Sequence, residues 1–282
     1  MVENRPWVTV FAHAVLLLGV LIIAFPIYIA VIASTHSLTT MLQSGVPLLP
    51  GGQFLANYRE VIFSGVGAAS SPPVSQMLLN SVVMSLGICL GKIAISIIAA
   101  YAIVYFQFPL RMTCFWIIFV TLMLPVEVRI LPTYKVVADL GLLDTYAGLT
   151  IPLIASATAT FLFRQFFLSV PEELTEAARV DGAGPIRFFF DILLPLSKTS
   201  IAALFVIQFI YGWNQYLWPL VVTTKQSYYT VVMGISRLVN VVDISPSWNL
   251  VMATALIAMI PPVAVVIVMQ RWFVKGLVET EK

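Results

Sequence analysis

One lysine, Lys92, lies inside an apolar run that extends from about Met77 to Phe106. An ammonium group at membrane depth is costly, and ionisable residues there are rare and commonly functional. Two chemistries suit it. Lys92 can attract an anionic group, such as a phosphate, along a pathway. It can also pair with a carbonyl or carboxylate of a neighbouring helix, or snorkel away from the centre. Glu127 and Arg129 stand between Pro125 and Pro132, where a broken helix would leave carbonyls in need of partners. They suit either a gate on a pathway or a local pair that shapes the helix end. Asn214 and Gln215 sit among Tyr211, Trp213, Tyr216 and Trp218. Their amides can bind a polar ligand or bridge two helices.

No catalytic or metal constellation accompanies these residues. There is no G-x-S-x-G and no H-E-x-x-H, and His13 and His36 lie toward the two ends of the first apolar stretch. Cys89 and Cys114 lie in apolar runs and suggest neither a disulfide framework nor a thiolate site. Gly87-Ile-Cys-Leu-Gly91-Lys92 has one residue too few between its glycines for a phosphate loop, and no Ser or Thr follows the lysine. Any ATP used with this chain is hydrolysed by another one, so no cofactor is expected here.

The elements that must position these groups follow from composition. Of 282 residues, 60% are hydrophobic and only 10% charged, with a net charge of +2. That excludes an ordinary soluble enzyme, a disordered chain and a nucleic-acid binder. It predicts an all-α integral membrane protein with the lipid bilayer as its surroundings. Six stretches meet the roughly 20-residue requirement for a span: about Val8–Ala33, Met77–Phe106, Met112–Leu131, Tyr146–Phe167, Ser200–Val222 and Leu250–Met269. The first is too long for a signal-peptide core and is expected to stay as an uncleaved span. With both termini inside, the inner segments carry Arg5, Arg111, Arg164, Arg179, Arg187, Lys198, Arg271, Lys275 and Lys282. The outer segments carry Arg59, Arg129, Lys135, Lys225 and Arg237. Nine basic residues against five favour this N-in, C-in orientation. No internal repeat is visible, which disfavours a secondary carrier built from repeated halves.

The inner segment 169–195 is unlike the rest. It reads as two short helices joined by a turn. Ser169 and Glu172 have capping-box spacing, and Pro171 suits a first helical turn. Glu172, Glu173 and Glu176 favour the positive end of that helix, and Asp181-Gly182 should stop it. Pro185 can start the second helix and Pro195 end it. Ala177 and Ala178 keep one face small enough for a close approach by another protein. An amphipathic helix lying on the membrane surface would carry a similar pattern.

Glu176-Ala-Ala-Arg-Val-Asp-Gly182, followed by Ile192-Leu-Leu-Pro195, resembles the EAA loop of ABC-importer permeases. Leu124-Pro-Val-Glu-Val-Arg-Ile, Leu143-Asp-Thr-Tyr-Ala-Gly-Leu, Phe161-Leu-Phe-Arg-Gln-Phe-Phe and Tyr211-Gly-Trp-Asn-Gln-Tyr-Leu-Trp-Pro are similar to the carbohydrate-uptake branch of that family. The terminal segments, Glu3-Asn-Arg-Pro-Trp7 and Met269 to Lys282, resemble members that import sn-glycerol 3-phosphate.

The resemblance implies a type I ABC-importer permease with six transmembrane helices in a bacterial inner membrane. It implies a heterodimer with a second permease subunit, a homodimeric ATPase subunit that binds ATP and Mg, and a periplasmic substrate-binding protein. Glu176, Ala177, Ala178, Asp181, Gly182 and Pro195 become candidate ATPase-coupling residues. Lys92, Glu127, Arg129, Asn214 and Gln215 become candidates for the substrate pathway. The expected organisation is an N-terminal tail, first span and outer loop (1–75), a permease core (76–270) with its coupling loop at 169–196, and a cytoplasmic tail (271–282). The implied substrate is sn-glycerol 3-phosphate, extending to glycerophosphodiesters, with a neutral sugar or oligosaccharide as the alternative. A membrane enzyme lacks a nucleophile–base pair. A self-contained carrier would leave the 169–195 loop without a purpose.

Overall fold

The computed structural model describes residues 6–65, 71–121, 126–240 and 246–279, with the side chains of 6, 126, 127 and 271–279 excepted. The described chain is helical and contains no strand. In order it comprises α1 (Pro6–Ser34), α2 (Leu38–Ser44), α3 (Phe54–Arg59), α4 (Val74–Tyr105), α5 (Arg111–Val120), α6 (Val126–Asp139), α7 (Tyr146–Thr150) and α8 (Ala157–Leu168). It continues with α9 (Glu172–Val180), α10 (Pro185–Phe188), α11 (Leu194–Leu196), α12 (Lys198–Trp213), α13 (Leu217–Val222), α14 (Val231–Val239) and α15 (Trp248–Glu279). These helices form two compact units, Met1–Ser75 with Gly234–Met259, and Gln76–Met233 with Ile260–Lys282.

Among the described residues three helices are long and apolar enough to cross a membrane unaided: Trp7–Ser34, Val74–Tyr105 and Trp248–Gln270. The other expected spans are interrupted. Tyr146–Leu153 and Ala157–Leu168 meet at a bend of 48°. The expected Ser200–Val222 span does not form as one helix, because α12 ends at Trp213 and α13 begins at Leu217. Instead α12 continues Pro185–Leu196 through a 71° bend. Pro195 stands one residue before that helix ends at Leu196, as its missing N–H predicts, and the chain turns at Ser197. Ser197 is buried and donates to the Leu193 carbonyl at 2.6 Å. In the expected third span, α5 stops at Val120 and residues 122–125 lie outside the described ones.

In the first unit, most of α1 exposes its apolar side chains, Leu16, Leu17, Ile22 and Ile23 among them. That is the surface a lipid-facing helix requires. Its last turn is anchored by Asn57, whose amide nitrogen donates to the carbonyls of Ser34 at 2.8 Å and His36 at 2.9 Å. Asn249 in turn donates to Asn57 Oδ1 at 3.2 Å.

The second unit packs around Met84, Ile88, Ile130, Val137, Leu149, Leu153, Trp218 and Val222. Helix–helix association in lipid relies on close van der Waals contact, so small residues matter at the crossings. A Cβ at Gly87 would lie 2.8 Å from Thr150 Cγ2, and one at Gly91 2.6 Å from Ile154 Cγ2 and 2.8 Å from Ile154 Cβ. The Gly87-x-x-x-Gly91 pair thus lets α4 approach α7 and the bend that follows it.

Polar residues of α4 share a buried face: Ser81, Ser85, Cys89, Lys92 and Ser96, spaced three or four apart. Ser81 Oγ accepts the Val231 N–H at 2.8 Å, Cys89 Sγ donates to the Phe205 carbonyl at 3.4 Å, and Ser96 Oγ donates to the Ser156 carbonyl at 3.2 Å. The polar groups of a span face protein, as the cost of exposing them to hydrocarbon demands.

Beyond α6 the chain turns at Asp144, a non-glycine residue at φ 54°, a conformation Asp tolerates better than most residues. Its carboxylate accepts the N–H groups of Thr224 (2.6 Å) and Lys225 (2.8 Å) and the Thr224 hydroxyl (2.7 Å). Slight burial favours the neutral acid. The hydrogen bonds from Lys225 and Thr224, with the Lys225 charge, outweigh it and hold the carboxyl below its ordinary value.

Two outcomes are expected. Gly91→Val should lower the thermal midpoint of the detergent-extracted protein, because overpacking costs about 1–3 kcal/mol. Gly19→Val, at a site with nothing within 4 Å, should leave it close to wild type. Equal midpoints for the two variants would contradict the packing argument. Because the Asp144 carboxyl is held low, its clamp contributes above the unfolded pKa of about 3.9 and is lost as the pH falls through the lower folded value. The midpoint difference between wild type and Asp144→Asn should therefore shrink as the pH drops from about 6 to about 3. A difference independent of pH would argue against a charged clamp.

Candidate functional site

Two features of the second unit carry chemistry: an exposed elbow and a cavity holding a buried cation. The elbow is α9 and α10. Helix α9 begins after Pro171, which occupies the N-cap position without a side-chain cap, so the expected Ser169 capping box does not form. The Ser169 hydroxyl instead donates back to the Phe166 carbonyl. At the other end the stop forms as the residues predict. Gly182 takes φ 72°, its N–H donates to the Arg179 carbonyl at 3.1 Å, and the Ala183 N–H donates to the Ala178 carbonyl at 2.8 Å. This is a Schellman closure, which spares the last carbonyls of α9 from facing apolar surroundings unpaired. Gly184 then caps α10, and Pro185 starts it.

The elbow presents two different faces. Ala178 is buried, turned toward Tyr101, Tyr105 and Phe188 around a hollow of about 250 Å³. Ala177, Glu176, Asp181 and Gly182 are exposed. The two alanines therefore do not form one small docking face: Ala178 seats the elbow on its own chain, while Ala177 is left for outside contact. Val180 (87% exposed) and Ile186 (75%) project from the same elbow, with Phe190 nearby. The acidic first turn of α9 and these apolar tips together make a protruding surface suited to a protein partner. The elbow is tied to the end of α4. Tyr101 OH donates to the Pro185 carbonyl at 2.8 Å, and the Tyr101 ring packs on Phe189 at 4.9 Å.

About 14 Å further along α4, nine residues at 1.5 Å each, lies Lys92. It is 6% exposed, and its Nζ stands 3.5 Å from the centroid of the Tyr211 ring, a cation–π contact. Among the described residues no carboxylate lies within ion-pair distance of Lys92 or of Arg129. Both open onto a cavity of about 540 Å³, whose wall includes Thr121, Ala155, Ser156, Thr160, Gln208 and Tyr211. The break between α7 and α8 supplies Ala155 and Ser156. Non-helical backbone at membrane depth is tolerated where it lines such a space. The Ser156 hydroxyl caps α8 by accepting the Ala159 N–H at 3.3 Å.

The structure thus brings Lys92 and Arg129 to one cavity. Asn214 and Gln215 lie beyond it, at the break between α12 and α13. Asn214 is exposed, and Gln215 donates to the Tyr211 carbonyl at 3.2 Å. The side chain of Glu127 lies outside the described residues. Gln208, Ser156 and Thr160 also line the cavity and are not among the residues that the sequence singles out. Gln208 carried a signal, as a lone amide in the apolar run 200–213. Ser156 and Thr160 carried none, because small hydroxyls are common in membrane helices.

An all-helical chain with membrane-length helices, an exposed elbow and a cavity that holds Lys92 and Arg129 suits a transport component. The family described as the binding-protein-dependent transport system inner membrane component matches residues 92–279. The chain belongs to this family of ABC-importer permeases, whose members work with a separate ATPase and a substrate-binding protein. It is 61% identical over 282 residues to the sn-glycerol-3-phosphate transport system permease protein UgpE of Agrobacterium fabrum. It is 60% identical to the protein of that name in Brucella melitensis biotype 1 and 56% identical to that in Escherichia coli O157:H7. Each alignment covers 100% of both chains. A crystal structure of a bacterial ABC transporter involved in the import of the acidic polysaccharide alginate contains a chain of the same fold. The TM-score is 0.82 at 22% identity, covering 97% of this chain and 98% of that one.

At Gly182 the left-handed backbone, not lack of space, is the constraint: nothing lies within 4 Å of a built Cβ. A β-branched residue there is strained by about 1–2 kcal/mol, whereas Asn tolerates the conformation. Gly182→Val should depress ATP-driven uptake in vesicles while the protein still inserts, and Gly182→Asn should keep most of it. Wild-type uptake by Gly182→Val would contradict a role for the turn geometry.

Proposed function

We propose that this chain is one of two different permease subunits of an ATP-driven importer of sn-glycerol 3-phosphate. The observation that carries the reading is the full-length likeness, 56–61% identity, to permeases that bear that substrate in their names. The elbow supplies the means. Its exposed apolar tips and acidic first turn suit a cleft on the ATPase, with Glu176, Ala177, Asp181 and Gly182 at the contact. Ala178 and Pro195 hold the elbow's shape behind them.

The proposed topology has six spans with both termini inside. The spans about Met112–Leu131, Tyr146–Phe167 and Ser200–Val222 are the ones not described as single straight helices. In functional terms residues 1–75 form the N-terminal tail, first span and outer loop, 76–270 the permease core, and 271–282 an inner tail. Lys92 and Arg129 lie on the substrate pathway, with Glu127, Asn214 and Gln215 toward its ends. ATP binding draws the ATPase pair together and pulls the elbows with it. Because Tyr101, Tyr105 and Phe188 fasten the elbow to α4, that helix moves with it, and the permease pair opens outward to receive substrate. Hydrolysis resets the assembly.

The test is ATPase stimulation of the reconstituted complex by its binding protein loaded with different ligands. Protein loaded with sn-glycerol 3-phosphate should stimulate hydrolysis well above protein offered glycerol or maltose. Stimulation by a neutral sugar alone would replace the substrate and keep the transporter. No stimulation by any loaded binding protein, in an assembled complex, would overturn the coupling reading.

A further inference from the structure

We infer that the cavity around Lys92 is an anion station, in which Lys92 and Arg129 together hold the phosphate group of a small phosphate monoester in transit. The inference rests on the importer reading above and adds to it the groups that recognise the cargo's charge. Lys92 is buried at membrane depth, yet among the described residues its neighbour is an aromatic face and not a carboxylate. A buried cation with no counter-ion among the described residues lacks there most of the compensation that burial demands. Arg129, from a different helix, opens onto the same space. Two like charges facing one cavity of low polarity repel each other, and an anion between them turns that repulsion into attraction.

A third group points the same way. Gln208 is 4% exposed, lines the cavity, and makes no hydrogen bond to any described residue. Its amide is not among the sealed unpartnered groups but reaches the cavity, where a ligand or water can bond it. Its N–H₂ group can donate to a phosphate oxygen and its carbonyl can accept from a polyol hydroxyl. The cavity, about 540 Å³, falls in the range of small-molecule sites. A neutral sugar would call for neither cation. Tyr211 holds the ammonium in place without neutralising it, since a ring face attracts a cation but carries no net charge.

The test uses the intact complex, with both permeases, the ATPase and the binding protein, in proteoliposomes. Uptake of radiolabelled sn-glycerol 3-phosphate is measured beside ATPase stimulation by loaded binding protein, for Lys92→Met, Lys92→Arg and Arg129→Gln. Co-purification of the ATPase subunit certifies assembly of each variant. Lys92→Met and Arg129→Gln should each cut uptake at least about tenfold, as loss of a charge-assisted contact implies. ATP hydrolysis should remain stimulated within about twofold, because the elbow is untouched. Lys92→Arg, which keeps the charge, should retain most uptake.

Normal uptake by assembled Lys92→Met and Arg129→Gln complexes overturns the station. So does loss of stimulation in step with uptake, which marks a structural role. Failure of Lys92→Met to assemble shifts the decision to Arg129→Gln, whose residue lies exposed on the cavity wall. Wild-type vesicles that refuse glycerol 3-phosphate but take up another phosphate ester in a Lys92-dependent way sink the substrate assignment and keep the station.

Discussion

The structure depends on one constraint: at membrane depth every backbone amide and every polar side chain must find its partner inside the protein. The serine, cysteine and lysine stripe of α4 obeys it by turning inward as one face. The bend between α7 and α8 obeys it through Ser156, which caps α8 with its hydroxyl and offers its carbonyl to Ser96. The bend after Leu196 obeys it through Ser197, whose hydroxyl returns to the Leu193 carbonyl. Lys92 and Gln208 instead face the cavity, where a group from outside the chain can bond them.

The same helix carries both ends of the proposed machine. Tyr101 and Tyr105 bind the elbow to one end of α4, and Lys92 stands about 14 Å along it. A continuous helix transmits displacement with little loss, so no relay of separate contacts is needed between elbow and cavity. Gly87 and Gly91 let this helix lie directly against Thr150 and Ile154. A shift of α4 therefore also presses on the bend that forms part of the cavity wall.

The fold is shared, at 22% identity, with a chain of a transporter for an acidic polysaccharide. The architecture follows from span length, small residues at crossings and capped breaks, which many sequences satisfy. A fold match therefore names an architecture without naming what it carries.

The sequence by itself determined much of this protein. Long apolar runs require membrane helices, because nothing else satisfies the backbone in lipid. The Asp181-Gly182 stop and the Pro185 start were legible because turn chemistry is local. Other features were decided only by tertiary structure. Ala177 and Ala178 are adjacent in sequence, yet a helix turns 100° per residue, so one faces outward and the other is packed under Tyr101 and Tyr105. Pro195 marks the end of its helix, which stops at Leu196, but the 71° bend into α12 that follows is not written in any one residue. The run 200–222 reads as one span, since hydropathy does not register the break at Asn214, where the Gln215 amide bonds back to the Tyr211 carbonyl. The direction of Lys92 could not be read at all: rotation of a span about its axis is fixed by the helices beside it, and those contacts join residues far apart in the chain.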